Sequence, residues 1–345
     1  MGQLTPLAIT AIGTVPFLDL DWTLDFVART SPDIPYWPQM VRRHPREDMV
    51  LQAVDGLTPL EMDEARHRVT VKAGDREQAL TEFYEHFLAQ DWDYFAVPPE
   101  AGSCLRLFLD RAKSDPAFGP EFLKAQVIGP VSFGQSVRTP EDRTLLDDPE
   151  LADMVVKGLG AKAAWLAREI LATGRTPLIF FDEPGLTGLG SAHSNLSGER
   201  VVAMLDEAAE IVRSVGPAFV GVHICGNSDW GAITSANLDV INFDAYGFLD
   251  HFLLYPKEIR KFLERGGHIA WGIVPTLDYT GEQTARGLAD KLKAGWSALA
   301  GRGLDLDLVR SRSLITPACG VGAIGEEAAR AILELLPPVQ ALVRT

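Results

Sequence analysis

Cysteine is scarce in this chain of 345 residues, which has three: Cys104, Cys225 and Cys319. That is too few for a disulfide framework, so thiol chemistry in a reducing compartment is the natural use of them. Long apolar runs are also missing, and none reaches the length needed to cross a bilayer. The opening residues, MGQLTPLAIT, have neither the basic start nor the apolar core of a secretory signal, so a soluble cytoplasmic protein is expected. Basic residues are outnumbered, 32 Lys and Arg against 47 Asp and Glu, for a net charge of −15. Nucleic acid and anionic membrane surfaces would be repelled, which excludes both as partners. There is no repeat and no low-complexity tract.

What is present is an alternation of short apolar runs with longer helical patterns, the mark of βα units and a parallel sheet. Strands are expected near residues 7 to 13, 93 to 97, 123 to 129, 177 to 182, 218 to 223, 239 to 243, 268 to 273 and 313 to 316. Helices are expected over 19 to 29, 101 to 113, 149 to 173, 197 to 215, 256 to 265, 282 to 300 and 325 to 336. Eight such units predict a single α/β domain over 1 to 345, a (β/α)8 TIM barrel. Residues 31 to 75 break the alternation with Pro32, Pro35, Pro38 and Pro45. They read as an insertion after the first strand, with a hairpin turning near Asp55-Gly56 ahead of Arg68 to Lys72. Within it, Pro35-Tyr36-Trp37-Pro38 is either a cover over the barrel mouth or ordinary surface packing.

The chemistry clusters at expected strand ends. Residues two apart on a strand share a face, so His223 and Cys225 converge. Cys319, in Pro317-Ala318-Cys319-Gly320, supplies a third ligand, and Asp244 closes another strand between them. One His, two Cys and one open or carboxylate-filled position fit a catalytic zinc site better than a structural one. A barrel places its chemistry at the C-terminal ends of its strands, where Gly13 and Thr14, Glu100, Gly129 and Asp182 also fall. Glu183, next in the chain, points to the other side and reads as structural.

These motifs, Ile12-Gly13-Thr14, Gly129-Pro130-Val131, Asp182-Glu183-Pro184, His223-x-Cys225 and Pro317-x-Cys319-Gly320, resemble in order and spacing the C-terminal catalytic barrel of cobalamin-independent methionine synthase. The wider group includes uroporphyrinogen decarboxylase and the zinc methyltransferases that use corrinoid proteins. The resemblance implies Zn2+ on His223, Cys225 and Cys319, with Asp244 where the family has a glutamate ligand. It implies that Ile12, Gly13 and Thr14 hold the carboxylate of a homocysteine-like thiol, and that Glu100 and Asp182 hold its ammonium. The expected reaction is S-methylation of that small thiol.

Two departures bear on the methyl donor. The family has a catalytic histidine just past strand seven, whereas this chain reads Val274-Pro275-Thr276-Leu277-Asp278, leaving Asp278 as the one acid there. The second barrel-sized half of the long synthases is also lacking from these residues. A methylcorrinoid, free or carried on a corrinoid protein, is therefore the expected donor. The alternatives are a metal-free lyase like uroporphyrinogen decarboxylase, in which Arg42, Arg43 and Arg46 would face the substrate, and a non-catalytic protein that binds zinc or a corrinoid.

Overall fold

The computed structural model describes residues 3–191 and 196–345. Six parallel strands run side by side in chain order: β3 (Phe122–Ile128), β4 (Thr176–Asp182), β5 (Phe219–Ile224), β6 (Val240–Phe243), β7 (His268–Val274) and β8 (Ser313–Pro317). Every residue of β5 to β8 is buried, as expected where helices cover a parallel sheet. The curled sheet is an α/β half-barrel. Two further strands form a small antiparallel hairpin, β1 (Leu60–Asp63) with β2 (Arg68–Val71).

The expected strands at 7 to 13 and 93 to 97 do not form. Leu7 takes a left-handed φ of +59° and Gly13 one of +144°, so the first segment reaches β8 through a single bridge, Ile9 to Ile315. Residues 92–95 wind into a short helical turn, and Pro98 and Pro99 beyond them cannot donate to a ladder. Unexpectedly, the segment around Tyr36 lies beside the other sheet edge. The Trp37 amide bonds to the Lys124 carbonyl and the Lys124 amide to Pro35, while Ile34 and Gln39 bond back to Ile9 and Gly13. Prolines 35 and 38 keep this contact to isolated bridges. Tyr36 and Trp37 are wholly buried there, which removes them from the mouth. The hairpin within 31–75 turns at Glu64–Arg66 and a left-handed His67, not at Asp55-Gly56.

The inner face follows from the twofold period of a strand. Phe122, Leu178, Phe180, Phe219, Val240, Ala270 and Leu314 pack with Ala8 and Ile34 into one apolar plug. Gly221 is required inside it, because a Cβ there would lie 1.8 Å from the Phe180 ring. One step of two residues towards the C-terminal ends, the same face turns polar: Lys124 and Gln126, Asp182, His223, Asn242 and Thr316. The apolar plug closes the lower half, and the polar layer forms the floor of the upper rim.

The helices stand close to their expected places, at Leu20–Thr30, Leu105–Ser114, Pro149–Leu171, Gly198–Arg213, Pro256–Glu264, Ala285–Gly301 and Glu326–Glu334. The longest, Pro149–Leu171, starts with Asp148 accepting from the Glu150 and Leu151 amides and with Pro at its first position. Its Leu151, Val155, Leu159 and Leu166 stripe is buried.

Candidate active site

His223 sits near the end of β5, side by side with Asp182 on β4 and Asn242 on β6. Asn242 has its orientation fixed, since its amide donates to the Ala270 carbonyl at 2.8 Å and the Thr316 hydroxyl at 2.7 Å. Its Oδ1 therefore faces Nδ1 of His223, 2.5 Å away, and that nitrogen must carry the proton. Burial pushes the imidazole down to about 4, so the ring is neutral at neutral pH. The remaining nitrogen, Nε2, is a buried lone pair with no partner. A histidine with its tautomer set by a fixed amide is a prepared metal ligand or acceptor. Asn242 is a residue of the candidate site that the sequence reading missed. The only signal was a polar residue inside the apolar run 240 to 243.

Cys225 follows β5 and Cys319 follows β8, and both are half-buried and free. Their thiols hydrogen-bond to each other, which pushes Cys225 down and Cys319 up, while burial raises both. The Thr187 hydroxyl also supports Cys225. The pair meets because Gly320 lets the 317–322 turn press against Thr14: a Cβ on Gly320 would lie 2.0 Å from the Thr14 hydroxyl. The Val321 amide completes this contact at the Thr14 carbonyl, 3.0 Å away. Thr14 and Cys319, far apart in sequence, are thus joined at one rim.

Ile12 and Gly13 hold different positions. The Ile12 carbonyl accepts from the ammonium of Lys124 at 2.5 Å, and Gly13 packs against the side chain of Gln126. Lys124 is completely buried, donates also to Gln126 Oε1 at 2.8 Å, and lies 4.7 Å over the Phe180 ring. Burial pushes its ammonium down to about 7. The same cause pushes the Asp182 carboxyl up to about 7, opposed by the positive charge of Lys124. Oδ1 of Asp182 is buried without a partner. Glu183 turns away, as expected, and accepts from the Val131 amide at 2.9 Å, the Ser132 amide at 2.7 Å and the Ser132 hydroxyl at 2.6 Å.

The outer acids are engaged elsewhere. Glu100 binds Arg46 at 2.6 Å, and Arg46 also pairs with Asp55. No contact joins Glu100 to Asp182 among the described residues. Asp244 caps the helix Ala245–Phe252 by accepting from the Gly247 amide at 2.8 Å. Burial raises its carboxyl, and the charge of Asp278 nearby raises it further. Asp278 itself is exposed on the loop after β7.

His223, Cys225, Cys319, Asp182 and Thr14 therefore share one rim, but they are not drawn into a cage. Among the described residues no three His, Cys, Asp or Glu side chains are arranged to hold a metal ion. The donor set nevertheless fits one, with two thiols bonded only to each other and to neighbouring hydroxyl or backbone groups, and an unpaired imidazole nitrogen. No helix among the described residues is long and apolar enough to cross a membrane.

No protein-family model matches the chain, and no curated protein matches it either. Solved structures do. A B12-independent methionine synthase from Shewanella sp. W3-18-1, in complex with selenomethionine, aligns with a TM-score of 0.59 over 99% of this chain and 94% of its own, at 15% identity. The putative vitamin-B12-independent methionine synthase of Listeria monocytogenes aligns with a TM-score of 0.56 over 99% of this chain and 98% of its own, at 11% identity. At such identities the likeness is one of fold.

Proposed function

We propose that the chain is a zinc-dependent methyltransferase that methylates a small thiol of the homocysteine class. The observation that carries this reading is the meeting of the Cys225 and Cys319 thiols at the same rim where His223 keeps a buried, unpartnered Nε2. Zinc held by these three residues would supply a local positive charge that keeps an acceptor thiol deprotonated at neutral pH. Asp244, tied to Gly247 through one oxygen, would be a weak, displaceable fourth ligand.

The chain's own groups then position the acceptor. Asp182 offers its unpartnered Oδ1 to the ammonium, and Thr14 with the backbone of Ile12 and Gly13 takes the carboxylate. Holding both ends of a small zwitterion turns an encounter into an oriented reaction, which supplies much of the acceleration. Glu100, already paired with Arg46, contributes to the ammonium site only if that pair opens. The selenomethionine in the Shewanella structure supports an amino-acid acceptor, since it is the selenium counterpart of an S-methylated amino-acid thiol.

The donor is assigned to a methylcorrinoid. The first acid after β7 is Asp278, on a loop that also carries Glu282, and cobalt(I) leaves without needing a proton, whereas a departing folate nitrogen needs one. The lyase reading loses its support, because Arg42 and Arg43 donate to the Ile324 and Leu18 carbonyls and Arg46 to carboxylates. The test is to mix purified protein with homocysteine and methylcobalamin and follow the corrinoid absorbance. Demethylation faster than consumption of methyltetrahydrofolate is expected. Turnover with methyltetrahydrofolate alone would overturn the donor while leaving the thiol half intact.

A further inference from the structure

Beside the thiol pair, on the β3–β4 side of the rim, lies a cavity of about 460 Å3 whose walls include Gln135, Arg138, Thr144, Asp147, Thr187 and Arg200. Several arginines of this acidic chain are matched by carboxylates, as in Arg76 with Asp148, Arg168 with Asp93 and Arg213 with Asp239, and others, such as Arg42 and Arg265, are taken up by backbone carbonyls. The two in the cavity form no ion pair among the described residues, although the positive charge of Arg200 bears on Asp147. The Arg138 guanidinium has no hydrogen bond or ion pair among the described residues. Arg200 gives one N–H to the Leu146 carbonyl, and the rest of its fork has no hydrogen bond among the described residues. The one carboxylate in the wall, Asp147, has an oxygen committed to the amide and hydroxyl of Thr144, both at 2.9 Å. Two guanidinium groups in one concave space, in a chain of net charge −15, select for an oxyanion.

Thr187 connects this cavity to the chemistry. It lines the wall, packs on Gly226, where a Cβ would lie 2.5 Å from its methyl group, and hydrogen-bonds to Cys225. Thr187 is thus shared between the cavity wall and the surroundings of Cys225.

We propose that Arg138 and Arg200 form an anchoring site for a carboxylate or phosphate carried on an arm of the second substrate, the one that brings the group transferred at Cys225 and Cys319. Naming that ligand as a donor rests on the methyl-transfer reading, whereas the oxyanion site itself does not. The experiment is calorimetric titration of the purified protein at low salt with triglutamate, a carboxylate probe, and with inorganic phosphate. One saturable site is expected for at least one of them, weakened tenfold or more in Arg138→Gln/Arg200→Gln and unchanged in Cys225→Ser. Whichever probe binds more tightly identifies the anion. Zinc content equal to wild type in the double variant separates this site from the metal ligands. Absence of zinc in the wild type alongside intact oxyanion binding would sink the methyl-transfer reading and spare the anchor. Failure of both probes to bind wild type, or equal binding by the double variant, overturns the proposal.

Discussion

Two polar clusters flank the upper rim, and they are built on opposite principles. Around Arg46, in the 42–103 region, charge meets charge: its guanidinium binds Glu100 and Asp55 and has Nε, without a hydrogen bond, 3.9 Å from Glu64, while the neighbouring buried Glu47 accepts from the Met40 amide at 2.6 Å and the Ser103 hydroxyl at 2.5 Å. Around β4, β5 and β8 the buried groups are left wanting. His223 Nε2 and Asp182 Oδ1 have no partner, and the two thiols have mainly each other. Buried polar atoms are nearly always satisfied, so a cluster of orphans marks a place where a ligand completes the structure. We read the first cluster as architecture and the second as the proposed site.

Substitutions should separate the two. The largest effect is expected for Asn242→Leu, which removes the acceptor that fixes the Nδ1 proton of His223 and should lower zinc affinity about 10- to 100-fold. Competition with a chromogenic chelator measures it, and unchanged affinity would mean that His223 is not a ligand. Asp182→Asn should weaken homocysteine more than a thiol lacking the amino group. The lost charged hydrogen bond is worth about 1.5 to 3 kcal/mol, roughly tenfold or more. Equal losses for both thiols would assign Asp182 to the Lys124 network alone.

On the architectural side, Arg46→Met should destabilise the fold by about 1 to 3 kcal/mol through the carboxylates it strands, with zinc content unchanged. Denaturant titration reads the first and elemental analysis the second, and a loss of zinc would dissolve the contrast between the clusters. The smallest effect is expected for Asp278→Asn, which should leave methyl transfer from methylcobalamin close to wild type, because that leaving group needs no acid. A large fall in that rate would bring Asp278 into the mechanism.

How much of this was legible in the sequence follows from the range of each interaction. β3 to β8 and the seven expected helices could be read because period two, period 3.6 and caps such as Asp148 are local signals. The first two strands could not, since the left-handed Leu7 and the turn at Trp92–Phe95 depend on tertiary contacts. The segment around Tyr36, read as an insertion, lies instead beside β3, and no local pattern announces a bridge between Tyr36 and Lys124. At the site, spacing could set His223 and Cys225 at the end of one strand, but the approach of the Cys319 turn to Thr14 needed the bare surface of Gly320. The pairing of Glu100 with Arg46 was hidden for the same reason, being a contact across 54 residues that only the folded chain makes.

The central claim is that the unsatisfied cluster is a metal site made by His223, Cys225 and Cys319. Elemental analysis of purified wild type, Cys225→Ser and Cys319→Ser, each checked for native secondary structure, tests it most directly. The account predicts about one zinc per chain in wild type, as a three-ligand catalytic site would hold, and little in either folded variant. Full zinc in both variants, or none in the wild type, would contradict it.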